Sequence, residues 1–175
     1  MIKHHRQSGF SLVEILVAIG IIGSLSSIVI ASVNSARESA RVARTQADLR
    51  EIRGAVDRLA IDTGRQPTYG ATKRSETECV DTSDDNELYA DDPAAGLTAT
   101  DGNYVGWNGP YFENLPNDPW GNRYIYDPDY DCNQASVGCE PFTDGQTVLA
   151  IHSSGPNGSA INTYDEDNIV LVLCS

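Results

Sequence analysis

The sequence predicts an α+β protein: one long N-terminal α-helix, membrane-spanning in its first half and amphipathic in its second, packed on a small antiparallel β-sheet. Three observations carry this reading. Ile15–Ala36 holds no charged residue over 22 positions. Leu49, Ile52, Val56 and Leu59 then recur at spacings of three, four and three, the period of a helix with one buried stripe. Beyond Pro67, short strand-like runs are separated by turn dipeptides, the pattern of a compact sheet.

Charge divides the chain the same way. Net charge is −13 over 175 residues, which argues against a nucleic-acid binder, since such affinity rests on Lys and Arg neutralising phosphates. Residues 1–74 carry 11 basic and 6 acidic groups, whereas residues 75–175 carry 19 acidic groups and one basic, Arg123. At 40% apolar content the chain is too hydrophobic for a disordered acidic tail. Two physically different segments share one polypeptide.

The first begins with a polar, basic leader, residues 1–9 (MIKHHRQSG), followed by an apolar run, residues 10–36, in which Glu14 is the only charged residue before Arg37. As a helix, Ile15–Ala36 measures about 33 Å, enough to cross a hydrocarbon core of roughly 30 Å. A secretory signal would place its cleavage site after the apolar core. Here the small residue Gly9 precedes it, so cleavage there would remove only the leader. A carboxylate near the bilayer centre costs roughly 2.5–3.5 kcal/mol, less at the interface, so Glu14 calls for a partner or an interfacial position. Cleavage after Gly9 would give Phe10 a free α-amine, and Glu14, four residues on, would be placed to pair with that amine on a neighbouring subunit.

Helical pattern continues through an extension, residues 37–64. Ala36, Ala40, Ala43 and Ala47 form a small-residue stripe suited to close helix approach, and the bulkier stripe should pack against the following domain. Simple helix propensity explains the alanines equally well. Gly64 and Pro67 mark the exit. In the C-terminal domain, residues 65–175, strands are expected at Tyr124–Tyr126, Thr147–His152 and Asn168–Leu173, giving three or four in all. Asn108-Gly109-Pro110, Asp118-Pro119, Asp127-Pro128, Asp144-Gly145 and Asn157-Gly158 serve as turns.

Gly9-Phe10-Ser11-Leu12-Val13-Glu14 before an apolar helix resembles the prepilin signature of type IV pilins and type II secretion pseudopilins. The resemblance implies cleavage between Gly9 and Phe10 by a membrane prepilin peptidase, N-methylation of Phe10, and a role for Glu14 in filament assembly. Gly23 matches a recurrent glycine, whereas Ala31 stands where members often carry proline. A second tract, Gly109-Pro110-Tyr111 … Leu115-Pro116-Asn117-Asp118-Pro119-Trp120-Gly121-Asn122-Arg123-Tyr124-Ile125-Tyr126, resembles the major pseudopilin of type II secretion. In physical terms Pro116, Asp118, Pro119, Trp120 and Gly121 form a rigid turn, expected to deliver Trp120 to the core. Leu59–Pro67 resembles that family's helix exit, and the acidic stretch 73–101 reads as an insertion or variable loop. The fold so implied is pilin-like.

The resemblance also implies Ca²⁺ in the loop after the penultimate strand, with Ser154, Asn157, Asp165 and Asp167 as ligands; Asn157 stands where members usually have Asp. Calcium takes six to eight oxygens. Asp127–Asp131 opens like an EF-hand loop, but Cys132 and Gly138 occupy the positions that need Gly and Glu. All four cysteines lie beyond the apolar helix, and an even number in an exported domain favours disulfides. Of three pairings, Cys132–Cys139 with Cys79–Cys174 is preferred. No catalytic constellation stands out: His152-Ser153-Ser154-Gly155 is not a nucleophile elbow, and no phosphate-binding glycine loop occurs.

The resulting expectation is a non-enzymatic filament subunit. It sits in the inner membrane as a single-pass protein with its C-terminal domain outside the cytoplasm, then joins a helical homo-oligomer. Lys3 and Arg6 before the helix and Arg37, Arg41 and Arg44 after it leave orientation open on charge alone; the resemblance and the cysteines decide it. Expected partners are minor pilins or pseudopilins, the peptidase and the assembly platform, with no nucleic acid. A type IV pilin for adhesion, motility or DNA uptake, and an anchored Ca²⁺- or ligand-binding protein, are the alternatives.

Overall fold

The computed structural model describes residues 9–67, 87–130, 148–159 and 167–173. Helix α1 spans Leu12–Thr63, within two residues of the expected bounds. The chain divides into two units, Met1–Ala40 and Arg41–Ser175.

In the first unit, Ser11 opens α1. Its hydroxyl accepts from the Val13 amide at 3.2 Å, and its own amide donates to Glu14 Oε2 at 2.8 Å. This reciprocal pair is a capping box, which satisfies otherwise orphaned donors at a helix start. Every described large apolar side chain from Phe10 to Val33 is at least 40% exposed. Two serines among them turn to the helix backbone: Ser24 Oγ donates to the Ile21 carbonyl at 2.9 Å and Ser26 Oγ to that of Ile22 at 2.8 Å. Hydroxyls satisfied this way need no water, as a lipid-facing helix requires. By length and composition this is a helix able to cross a membrane, its best window reaching a mean hydropathy of 2.4.

In the second unit, Leu49, Ile52, Ala55, Val56 and Leu59 of α1 are buried against Tyr124, Tyr126, Leu149, Ile151 and Leu173. Each large apolar side chain so buried contributes about 1.5–3 kcal/mol. Ala43 and Ala47 stay exposed, as do Arg50, Glu51, Asp57 and Arg58, so the bulky stripe is the one this domain uses. Tyr124 Oη donates to Asp48 at 2.9 Å; burial and the neighbouring carboxylate both raise the phenol's pKa, so it stays a donor. Gly64, at φ +67°, ends the helix by donating to the Ala60 carbonyl, the left-handed cap that glycine favours.

The sheet has four antiparallel strands in chain order: β1 (Leu88–Tyr89), β2 (Ile125–Tyr130), β3 (Val148–Ser153) and β4 (Ile169–Leu173). Tyr126 opposes Ile151, which opposes Leu171, and this face meets the helix. The other face is buried too, at Ile125, Asp127, Ala150, His152 and Val172. Burial on both sides explains why Thr147–Ile151 alternates only weakly in sequence.

One expectation changes here. Asp127-Pro128 is not a turn: β2 runs through it, with a register shift between Asp127 and Tyr130. Proline lacks an amide donor and is tolerated where pairing is irregular; β1 pairs only with Ile125 and Tyr126. The described end of the acidic stretch, residues 87–101, carries regular structure and buried side chains. It supplies β1, the short 3₁₀ helix Pro93–Ala95 capped by Asp92, and the buried Ala90, Ala95 and Leu97. Arg123 holds it in place, its Nε donating to Asp91 at 2.8 Å while its guanidinium lies 3.8 Å from the centre of the Tyr89 ring.

Candidate functional site

Two regions gather the residues singled out from the sequence. The first is the start of α1. Gly9, Phe10 and Glu14 are all exposed, Phe10 to 85%. Ser11 was not singled out, although Ser-x-x-Glu before an apolar run signals the capping box.

The second is a polar hub between the tract before β2 and the loop after β3. Asp118 is 4% exposed, yet four donors converge on its carboxylate. The Trp120 and Asn122 amides reach Oδ1 at 3.0 and 2.8 Å, and Ser153 Oγ and Asn122 Nδ2 reach Oδ2 at 2.6 and 3.3 Å. Ser153 Oγ in turn accepts from the Gly155 amide, and Asn122 Nδ2 donates to the Gly155 carbonyl at 2.8 Å. Gly155 sits at φ +61°, so close to Asp167 that a Cβ there would overlap the Asp167 carbonyl oxygen. A buried carboxylate is tolerated only with its acceptor sites filled in this way.

The hub differs from expectation in one respect. Trp120 is half-buried and lies outside the core cluster. Pro116 is exposed, Pro119 half-buried, and Gly121 turns at φ +99°. The Asp118 hydrogen bonds pin the turn, and the half-buried Trp120 keeps its indole nitrogen enclosed. Trp107 packs against the core instead, its Nε1 donating to the Gly96 carbonyl at 2.7 Å.

Of the expected calcium ligands, Ser154 is buried, Asn157 exposed and Asp167 half-buried, while Asp165 lies outside the described residues. Asn157 donates to Asp167 twice, from its amide to Oδ2 at 3.2 Å and from Nδ2 to Oδ1 at 2.8 Å, and its Oδ1 accepts from the Ser159 amide at 2.7 Å. These donor and acceptor roles do not fit a cation at Asn157: its oxygen faces its own loop, and its NH₂ faces the carboxylate. Among the described residues no group of three or more His, Cys, Asp or Glu is placed to hold a metal ion. Cys79, Cys132, Cys139 and Cys174 also lie outside the described residues.

His152, one residue before Ser153, is fully buried in β3, and desolvation lowers its pKa to about 4. The unfolded chain takes up a proton near 6.5 and the native state only near 4, so the unfolded state binds more protons between those values. Stability is therefore expected to fall on acidification through that window, by roughly 2 kcal/mol between pH 7 and pH 5. Urea unfolding at the two pH values measures it. His152→Gln, which cannot be protonated, should lose this share of the slope; an unchanged slope would refute the assignment.

Residues 4–30 match the prokaryotic N-terminal methylation motif, and residues 85–167 match the type II secretion system protein G family. The type II secretion system core protein G of Pseudomonas aeruginosa is 30% identical over 167 residues, covering 95% of this chain and 97% of that protein. That of Klebsiella pneumoniae is 34% identical over 119 residues, covering 68% and 73% respectively. Among solved structures, the major pseudopilin of the type 2 secretion system of enterohaemorrhagic Escherichia coli aligns at 21% identity and a TM-score of 0.45, covering 78% of this chain and 90% of that one.

A methylation motif on an exposed apolar helix, continuing into an amphipathic stripe packed on a four-stranded antiparallel sheet, defines a pilin-like subunit. Within that class, identity over nearly the whole length is decisive. The chain belongs to the type II secretion system protein G family.

Proposed function

We infer that this chain is a structural, non-enzymatic subunit of a type II secretion pseudopilus. The leader 1–9 is removed between Gly9 and Phe10 by a prepilin peptidase, and Phe10 is N-methylated. Before assembly the apolar helix holds the subunit in the inner membrane with its C-terminal domain outside the cytoplasm. After assembly the same helix lies among its neighbours in a helical homo-oligomer that also takes in minor pseudopilins and docks on the inner-membrane platform. The observation that carries this reading is the exposure of every described large apolar side chain from Phe10 to Val33, with one carboxylate at the start of the run. Lipid and identical apolar helices both cover such a surface, so one helix serves both states.

The reading is tested by expressing the full chain with and without a prepilin peptidase and measuring intact mass. With the enzyme, the chain should begin at Phe10 and carry one added methyl group. A chain that still begins at Met1 in the presence of an active peptidase would sink the proposal.

A further inference from the structure

We propose that Asn157 and Asp167 meet across the loop after β3 with no metal ion between them, the neutral N–H donors of Asn157 filling the place of a cation at the Asp167 carboxylate. Each oxygen of Asp167 takes one N–H from Asn157, at 3.2 and 2.8 Å, and the Asn157 oxygen is held by the Ser159 amide at 2.7 Å. A calcium ion needs oxygens bearing no proton directed at it. Here the position nearest the carboxylate is filled by an NH₂ group, a donor with no acceptor capacity. The surrounding acceptors are engaged as well: the Gly155 carbonyl by Asn122 Nδ2, and Asp118 by Ser153. Gly155 completes the device, because its missing Cβ lets the two ends of the loop meet at the Asp167 backbone.

One atom type therefore decides whether this pair needs a metal ion. With Asp at 157, two carboxylates would face each other and repel unless a cation came between them. The inference is independent of filament assembly, and so is its test. The full chain in detergent is unfolded thermally, followed by near-ultraviolet circular dichroism, in EDTA and in millimolar CaCl₂, with MgCl₂ matching the ionic strength.

The wild-type midpoint should agree within about 1 °C in the two conditions, and Asn157→Asp should fall by roughly 4 °C in EDTA and recover in CaCl₂. A wild-type midpoint that drops with EDTA or climbs with CaCl₂ overturns the proposal. So does an Asn157→Asp midpoint equal to wild type in EDTA, since the clamp would then close nothing. A variant that falls but is not restored by CaCl₂ refutes the claim that this amide decides metal dependence.

Discussion

Replacing Glu14 with alanine should yield a chain that enters the membrane normally and fails to assemble. Insertion is spared the cost of placing a carboxylate against hydrocarbon, roughly 2.5–3.5 kcal/mol at the bilayer centre and less near its edge. Assembly, on the proposed reading, loses the one charged group that sets the axial register between otherwise uniform apolar helices. Such helices gain little from preferring one stagger over another, because lipid tails match their surface equally well. The measurement separates detergent-extracted membrane protein from sheared filaments: the first should be unchanged and the second absent.

Glu14→Gln sharpens the result, because in the structure Glu14 also closes the capping box by accepting the Ser11 amide at 2.8 Å. Glutamine keeps that acceptor and removes the charge. If Glu14→Gln assembles like wild type while alanine does not, the residue acts through helix capping and the intersubunit pairing is refuted. If alanine assembles, the filament role of Glu14 fails outright.

The second large effect is expected at Asp118. Asp118→Ala removes the acceptor of four donors in a nearly solvent-free position. Orphaning them should cost roughly 3–5 kcal/mol, at the upper end for a single substitution. Domains of this kind are stable by only about 5–15 kcal/mol, so the variant is expected to be rapidly degraded in cells and to unfold at markedly lower urea. Asp118→Asn keeps one oxygen for the Trp120 and Asn122 amides. It presents an NH₂ to Asn122 Nδ2, while the Ser153 hydroxyl can turn to accept. Its cost should be smaller, about 1–2 kcal/mol. Should both variants lose less than about 1 kcal/mol, the hub does not hold the β3 loop.

How much of this was legible in advance depended on the range of the interactions. The long helix was visible because an uncharged run and a three-four-three stripe are local patterns, and Leu49, Ile52, Val56 and Leu59 are indeed the buried positions. The strands at Ile125, Val148 and Ile169 were visible as short β-branched and aromatic runs. Strand β1 was not: two residues in an acidic stretch have no period, and what holds them is Arg123, more than thirty positions away. Nor could spacing tell which tryptophan meets the core. Trp107 does so because a carbonyl, Gly96 O, waits for its indole nitrogen. At the candidate sites, Glu14 stood out as a charge at the edge of an apolar run, and Ser11 was readable from its spacing to Glu14. The pairing of Asn157 with Asp167 was not, since a family resemblance marks these oxygen-bearing side chains as calcium ligands whether they face a cation or each other.

The sequence by itself determined the apolar run that must leave water, the lone carboxylate within it, and the helical stripe that must be covered. Burying or exposing a residue at fixed helical spacing needs no knowledge of the rest of the chain. Only the tertiary structure decided that both faces of the sheet are covered, that Asp118 joins two distant segments, and that the Asn157 side chain meets the Asp167 carboxylate. A buried polar group takes whichever partner the fold brings within about 3 Å, and that choice is not written in neighbouring residues.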